Sequence, residues 1–310
     1  PGGAGSAQLG QRPGNPVSEA DLEVDRFLKR ELLRLLPSAG WLSEETADDK
    51  ARTTSGLIWL VDPIDGTRGL MYQKRSAWVL TGIAPNRGPR TRLRDIELAV
   101  QTEIPLVKQH LSDVLWAHAD GPVYAQRYNR VSGETVPITL RPSRATTIAH
   151  GFAQISRFFP GAREELAALD EAVVRRVLGP PQAGKAQCFE DQYICTAGQF
   201  YELISGHDRY TADLRPLLDA WLAERGRALG ICCHPYDLAT ALIAERAGIV
   251  LTDERGAALD APFDVDANVG WIGYAMKPSA PRSSRRGWRS CTSAGCSKIS
   301  GKRRLHLRFP

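Results

Sequence analysis

The sequence has 310 residues, 43% of them hydrophobic and 24% charged. That is apolar material for one large core or two closely joined lobes, and it excludes a wholly disordered chain. No apolar run reaches the ~18 residues needed to cross a bilayer. Six cysteines in a chain of this length form no disulfide framework, so the protein reads as cytoplasmic and free of membrane contacts, with Cys188, Cys195, Cys232 and Cys233 as buried thiols. The net charge of +5 is unevenly spread: residues 277–310 hold ten Lys and Arg and no acid, so residues 1–276 carry a net negative charge.

In chain order, residues 1–15 are glycine-rich and without acids, and read as a flexible segment. A helix is predicted from Ser18 to Leu36. Ser18 can cap it, Glu19 and Asp21 suit its positive first turn, and Val24, Phe27, Leu28, Leu32 and Leu35 form an apolar stripe that Pro37 ends. Residues 46–56 read as a polar loop. The run Leu57 to Val61 fits a strand buried on both faces, and Pro63, which cannot donate to a ladder, should stop it near Asp62.

Further strands are expected over residues 78–84, 96–102, 114–117, 122–125 and 136–140, with the arginine-rich stretch 86–95 as an insertion. A second region should open with a strand over 148–152. A helix is expected over 163–177, another ending at Thr196, and a strand over 198–204. His234-Pro235-Tyr236-Asp237 should open an apolar helix that ends at Gly248, before a strand from Ile249; a last core strand should lie within 268–275. These elements divide the chain into 1–15, a first lobe over 16–147, a second over 148–276 and a basic tail over 277–310. The fold class is α/β, an α+β layered sandwich.

The chemistry concentrates in Asp62-Pro63-Ile64-Asp65-Gly66-Thr67. Two carboxylates three residues apart at the mouth of a strand can aim hard oxygens at one point, and they repel unless a cation lies between them. Gly66 and Thr67 stand where a helix begins, so their N–H groups can meet an anionic oxygen. On its own, Pro-Ile-Asp-Gly is equally a surface turn. Three further segments bear on that choice: Val17-Ser18-Glu19-Ala20-Asp21, Trp41-Leu42-Ser43-Glu44-Glu45 and the Tyr236-Asp237 helix start.

Together these four segments, in this order, resemble the signature of the inositol monophosphatase family of magnesium-dependent phosphatases, over about residues 16–276. The resemblance implies a sugar-phosphatase fold of alternating helix and sheet layers, and hydrolysis of a small phosphorylated metabolite with two or three Mg²⁺ ions. It implies that Glu44, Asp62 and the Ile64 carbonyl hold one ion, and Asp62, Asp65 and Asp237 a second. Glu44 and Thr67 would act on the attacking water, Asp21 would support Thr67, the Gly66 and Thr67 N–H groups would bind phosphate, and Glu45 would stand behind the ligands. Lys185, Arg157 and Arg209 are candidate substrate contacts. A homodimer is common among such proteins.

The sequence departs from the family pattern at two positions. Gly230 stands where the family usually has a Glu that grips ring hydroxyls, and Tyr236 where it has Trp. A 3′(2′),5′-bisphosphate nucleotidase is therefore the nearest alternative. The basic tail has three readings: a disordered extension, an error of reading frame, or a surface for nucleic acid or anionic membrane. An inactive protein that binds nucleic acid or a partner through that tail is the rival from another class.

Overall fold

The computed structural model describes residues 8–12, 15–46 and 54–275. The expectations for residues 277–310 and for most of the 46–56 loop lie outside the described residues. The elements, in chain order, are β1 (Gln8–Arg12), β2 (Asn15–Ser18), α1 (Glu19–Leu35), β3 (Gly40–Ser43), β4 (Leu57–Asp65), α2 (Thr67–Met71), β5 (Ala77–Pro85), β6 (Leu98–Ile104), β7 (Leu111–His118), β8 (Val123–Asn129), β9 (Thr135–Pro137), β10 (Phe152–Ile155), α3 (Arg163–Leu178), α4 (Thr196–Ile204), β11 (Asp208–Asp213), α5 (Asp219–Ala223), α6 (Ala241–Arg246), β12 (Val250–Thr252) and β13 (Trp271–Tyr274).

Strands β3 to β9 form a seven-stranded sheet in sequence order, antiparallel except for the β3–β4 pair. A four-stranded sheet has the order β10-β11-β13-β12, and β1 pairs with β2 by itself. Residues 8–12, expected within a flexible segment, thus satisfy their backbone in a hairpin with residues 15–18.

Three apolar clusters stack these elements. Leu28 and Leu32 of α1 pack against Trp41, Trp59, Val61 and Ile83 on one face of the large sheet. The other face, with Leu60, Leu80 and Leu115, meets Phe200 and Leu203 of α4 and Ile243 of α6, which also touch Leu251 and Trp271 of the second sheet. The far side of that second sheet packs through Ile155 and Ala212 on Leu166 and Leu169 of α3. Helix and sheet layers therefore alternate across the molecule, as expected.

The differences from expectation have local causes. Residues 198–204 are helical, within α4, not a strand. This helix has nine residues, about two and a half turns, too few to set a helical period apart from that of a strand. The helix expected to end at Thr196 is absent, α4 beginning there instead, and the strand expected over 148–152 starts only at Phe152. A turn closed by Gly151 N–H on the Ile148 carbonyl takes the preceding residues. Instead of one long helix, the late segment has a 3-10 turn over Tyr236–Leu238 and then α6, parted at Thr240, whose buried hydroxyl donates to Gln101 Oε1 at 2.9 Å.

Strand β4 runs past Asp62. Its partners in β5 step from Asp62↔Leu80 to Asp65↔Trp78, so one extra residue is accommodated by a bulge. Pro63 lies inside that bulge, beyond the last β3 partner, Ser43↔Val61, and its missing N–H breaks no ladder bond. The bulge turns the strand end and presents both aspartates of the motif.

Candidate active site

The bulge and its surroundings line a cleft. Asp62 and Asp65 come from the end of β4, and Asp237 from the turn before α6. One carboxylate oxygen from each lies within 4.8 Å of the others. Each is fixed by backbone: Asp62 Oδ1 accepts from Ile64 N at 3.1 Å, Asp65 Oδ2 from Ala197 N at 2.6 Å and Asp237 Oδ2 from His234 N at 2.6 Å.

Asp62 Oδ2 is buried and finds no donor, and the Glu44 carboxyl lies close to that of Asp62. Two acids in that relation are joined by a proton or a cation. Burial is the largest cause that raises the pKa of both Glu44 and Asp62, and the neighbouring acids add to it. Burial and then Asp237 push Asp65 to about 8, against the lowering effect of the Ala197 amide. A site that stores this much repulsion is matched to a divalent cation. Three carboxylates with no imidazole or thiolate among the clustered oxygens are a donor set for a hard ion such as Mg²⁺.

Thr67 opens α2 beside this cluster. Its Oγ1 lies 3.0 Å from Asp21 Oδ1 and 2.8 Å from the Ile64 carbonyl oxygen. That carbonyl keeps a second lone pair. Asp21 is itself held in a capping box, its Oδ2 accepting from Ser18 N at 2.7 Å and its N–H donating to Ser18 Oγ at 3.3 Å. Gly66, at φ +97°, makes the left-handed turn from bulge to helix.

The other sequence-derived contacts lie elsewhere. Lys185 is exposed and does not line the cleft. Arg157 bridges Asp170 and Glu190, and Arg209 donates to the carbonyls of Thr147 and Ala149. In the arginine-rich stretch, Arg87 pairs with Asp95 at 3.2 Å, and Arg92 and Arg94 with Asp260. Three of the four arginines of that stretch are thus paired, on two carboxylates.

What the sequence did not reveal is the opposite wall. Phe158 and Phe159 pack edge to face, with ring centroids 4.9 Å apart. Arg68 lies 4.9 Å over Phe159 and Arg215 lies 4.5 Å over Phe158. Burial lowers the pKa of Arg68, and Glu44 works against that shift. His234 and Tyr236, stacked 5.1 Å apart, complete this side. Of this wall the sequence marked only the segment of His234 and Tyr236, read as a helix start, and Arg68 by its place directly after the motif threonine.

Residues 4–90 match the sequence model of the inositol monophosphatase family. Over that stretch, which holds the Asp62–Thr67 motif, the chain is similar to this family. It is 32% identical over 74 residues to an inositol-1-monophosphatase of Bacillus subtilis, covering 24% of this chain and 28% of that protein. To a 3′(2′),5′-bisphosphate nucleotidase CysQ of Aggregatibacter actinomycetemcomitans it is 37% identical over 76 residues, again 24% and 28%. The chain thus spans about a quarter of the length of the curated relatives it matches. The fold likeness is wider. Fructose-1,6-bisphosphatase of Leishmania major superposes with a TM-score of 0.63 at 13% identity, covering 88% of this chain and 82% of that one. Among the described residues, no helix is long and apolar enough to cross a membrane.

Proposed function

We propose that this protein is a Mg²⁺-dependent phosphomonoesterase acting on a small phosphorylated metabolite. The observation that carries the reading is the convergence of Asp62, Asp65 and Asp237 on one point, with Asp62 Oδ2 buried and unsatisfied and Thr67 opening the helix that follows the motif.

Asp62, Asp65 and Asp237 would hold the metal, with Glu44 and the Ile64 carbonyl beside them. When bound there, the cation supplies positive charge for the phosphate oxygens and makes water more acidic. The protein's own groups do the rest. Thr67 gives its proton towards Asp21 or the Ile64 carbonyl, which leaves its lone pairs to accept from a water molecule and fix that water's direction of attack. Glu44, buried and close to Asp62, is the base that takes the water's proton. The N–H groups of Gly66 and Thr67, in the first turn of α2 and without intrahelical partners, meet the phosphate oxygens.

A second reading, a nucleotide substrate, is favoured by Phe159. A Cβ on Gly230 would lie 3.0 Å from Phe159 Cβ and 3.0 Å from the Pro160 carbonyl, so a polyol-gripping acid cannot stand there without moving this wall. The Phe158–Phe159 pair and the Arg68 guanidinium instead offer an aromatic and cationic wall, suited to a base and a second phosphate.

Phosphate release from inositol 1-phosphate, adenosine 3′,5′-bisphosphate, fructose 1,6-bisphosphate and histidinol phosphate, with Mg²⁺ or EDTA, tests both readings. Release that needs Mg²⁺ and is lost in Asp62→Asn supports the phosphatase, and preference for the bisphosphate nucleotide supports the second reading. No release from folded protein on any of the four overturns the first.

A further inference from the structure

Helix α1 is amphipathic, yet the side chains it buries most deeply are two acids, Asp21 and Asp25. Four residues apart, they lie on one helix face. Burying a carboxylate costs several kcal/mol unless its hydrogen bonds are met. The two are met by different parts of the site. Asp21 takes Thr67 and the Ser18 amide. Asp25 Oδ1 accepts from Ser43 Oγ at 2.5 Å and its Oδ2 from Thr46 Oγ1 at 2.5 Å.

Ser43 and Thr46 bracket the Glu44-Glu45 pair. Ser43 Oγ also accepts from Glu45 N at 3.3 Å, and Glu44 N donates to the Val61 carbonyl at 3.2 Å. The turn that carries Glu44 is therefore fastened to β4 on one side and, through two hydroxyls, to Asp25 on the other. We propose that Asp25 is a positioning residue for Glu44: it clamps the Ser43–Thr46 turn so that the Glu44 carboxyl stays against Asp62. Helix α1 then serves the site at two points, Asp21 holding the Thr67 turn and Asp25 the glutamate turn. This rests on the metal-dependent reading above and adds to it a residue that touches neither ion nor substrate.

The shape of the clamp dictates its test. An Asn at 25 keeps the volume but offers one acceptor where two hydroxyls donate, so one of them must turn away. Partners that orient metal-holding groups typically change metal affinity about 10- to 100-fold when removed. The full-length protein and its Asp25→Asn, Ser43→Ala and Thr46→Val variants are unfolded thermally in EDTA and over a Mg²⁺ series, and phosphate release is followed over the same series. Asp208→Asn is the control. Asp208 is a buried acid of the second sheet, hydrogen-bonded to Gln154 and Thr211 at 3.1 Å.

The expected result is that Asp25→Asn raises the Mg²⁺ concentration for half of the thermal stabilisation by about 10-fold or more, and the two hydroxyl variants raise it less. Asp208→Asn lowers Tm in EDTA and leaves that midpoint unchanged. An unchanged midpoint in Asp25→Asn, or, if that variant does not fold, in both hydroxyl variants, overturns the proposal while wild-type protein still responds to Mg²⁺. A wild-type protein that Mg²⁺ neither stabilises nor activates overturns the metal reading, and this proposal with it.

Discussion

Thr67 Oγ1 stands 3.0 Å from Asp21 Oδ1, so a single hydroxyl joins the first turn of α1 to the bulge of β4, 46 residues later in the chain. The contact gives the hydroxyl a fixed direction, which a water-orienting group needs. Thr67→Val keeps the shape and deletes the oxygen. It should lower phosphate release about 10²- to 10⁴-fold and cost about 1–3 kcal/mol of stability, because Asp21 loses a donor while buried. Thr67→Ser should keep most of both. Steady-state kinetics with urea unfolding of the two variants checks this, and equal losses in the two would show that the hydroxyl is not the active feature.

The carboxylate cluster makes stability depend on pH in a definite direction. Asp65 titrates at about 8 in the fold, against about 4 for a carboxyl in an unfolded chain. From about pH 4 to about pH 8 the folded state keeps a proton that the unfolded state has released, so stability falls as pH rises through that window, by about 1.4 kcal/mol per pH unit for one such proton. Burial shifts Glu44 and Asp62 in the same direction. In EDTA, Tm should drop between about pH 6 and about pH 8, and Asp65→Asn, whose amide oxygen can still accept from Ala197, should flatten part of that drop. Mg²⁺ should raise Tm more at the higher pH, where fewer protons compete with it. A flat Tm profile in EDTA contradicts the cluster's buried charge.

Gly66 is held from both sides. Its φ of +97° is one that L side chains adopt only with strain, and a Cβ there would lie 3.0 Å from Cys195 Cβ and 3.2 Å from its Sγ. Cys195 cannot yield easily, since its Sγ donates to the Asp65 carbonyl and accepts from Gly198 N. Gly66→Ala should cost about 2–3 kcal/mol and reduce catalysis further by moving the N–H groups of residues 66 and 67. Urea unfolding measures the first and kcat the second.

The parts of this protein that local rules govern were legible in its sequence. The capping pair Ser18 and Asp21 and the unbroken apolar run into Asp62 marked α1 and β4, and the acids of the motif segments were named from their order. The bulge escaped because Pro63 reads as a stop, when one extra residue lets a strand pass through it. Helix α4 escaped because its nine residues make only about two and a half turns, too few to set a helical period apart from that of a strand. The aromatic wall escaped for a different reason. Phe158 and Phe159 follow β10, Arg215 follows β11, and only the parallel pairing of those two strands brings their ends together. Asp25 was within reach, four residues from Asp21, but its partners belong to another element.

Arg215 supports that wall from inside. It is buried, and its Nε and Nη2 meet both oxygens of buried Asp213, at 2.8 and 2.5 Å, while Nη1 donates to the Ile231 carbonyl in the segment leading to His234. Its guanidinium face lies over both Phe158 and Phe159. Arg215→Met keeps much of the volume but leaves the buried Asp213 carboxyl without its guanidinium partner, which should cost about 3–5 kcal/mol. Arg215→Lys keeps the charge without the fork and should fall between. Adding Asp213→Leu to Arg215→Met removes the stranded carboxyl and should restore part of the loss. With a nucleotide substrate, Arg215→Met should also raise KM more than it lowers kcat, because the wall loosens while the carboxylates stay. If urea unfolding gives the double variant no advantage over the single, the loss comes from packing on the phenylalanines and not from Asp213.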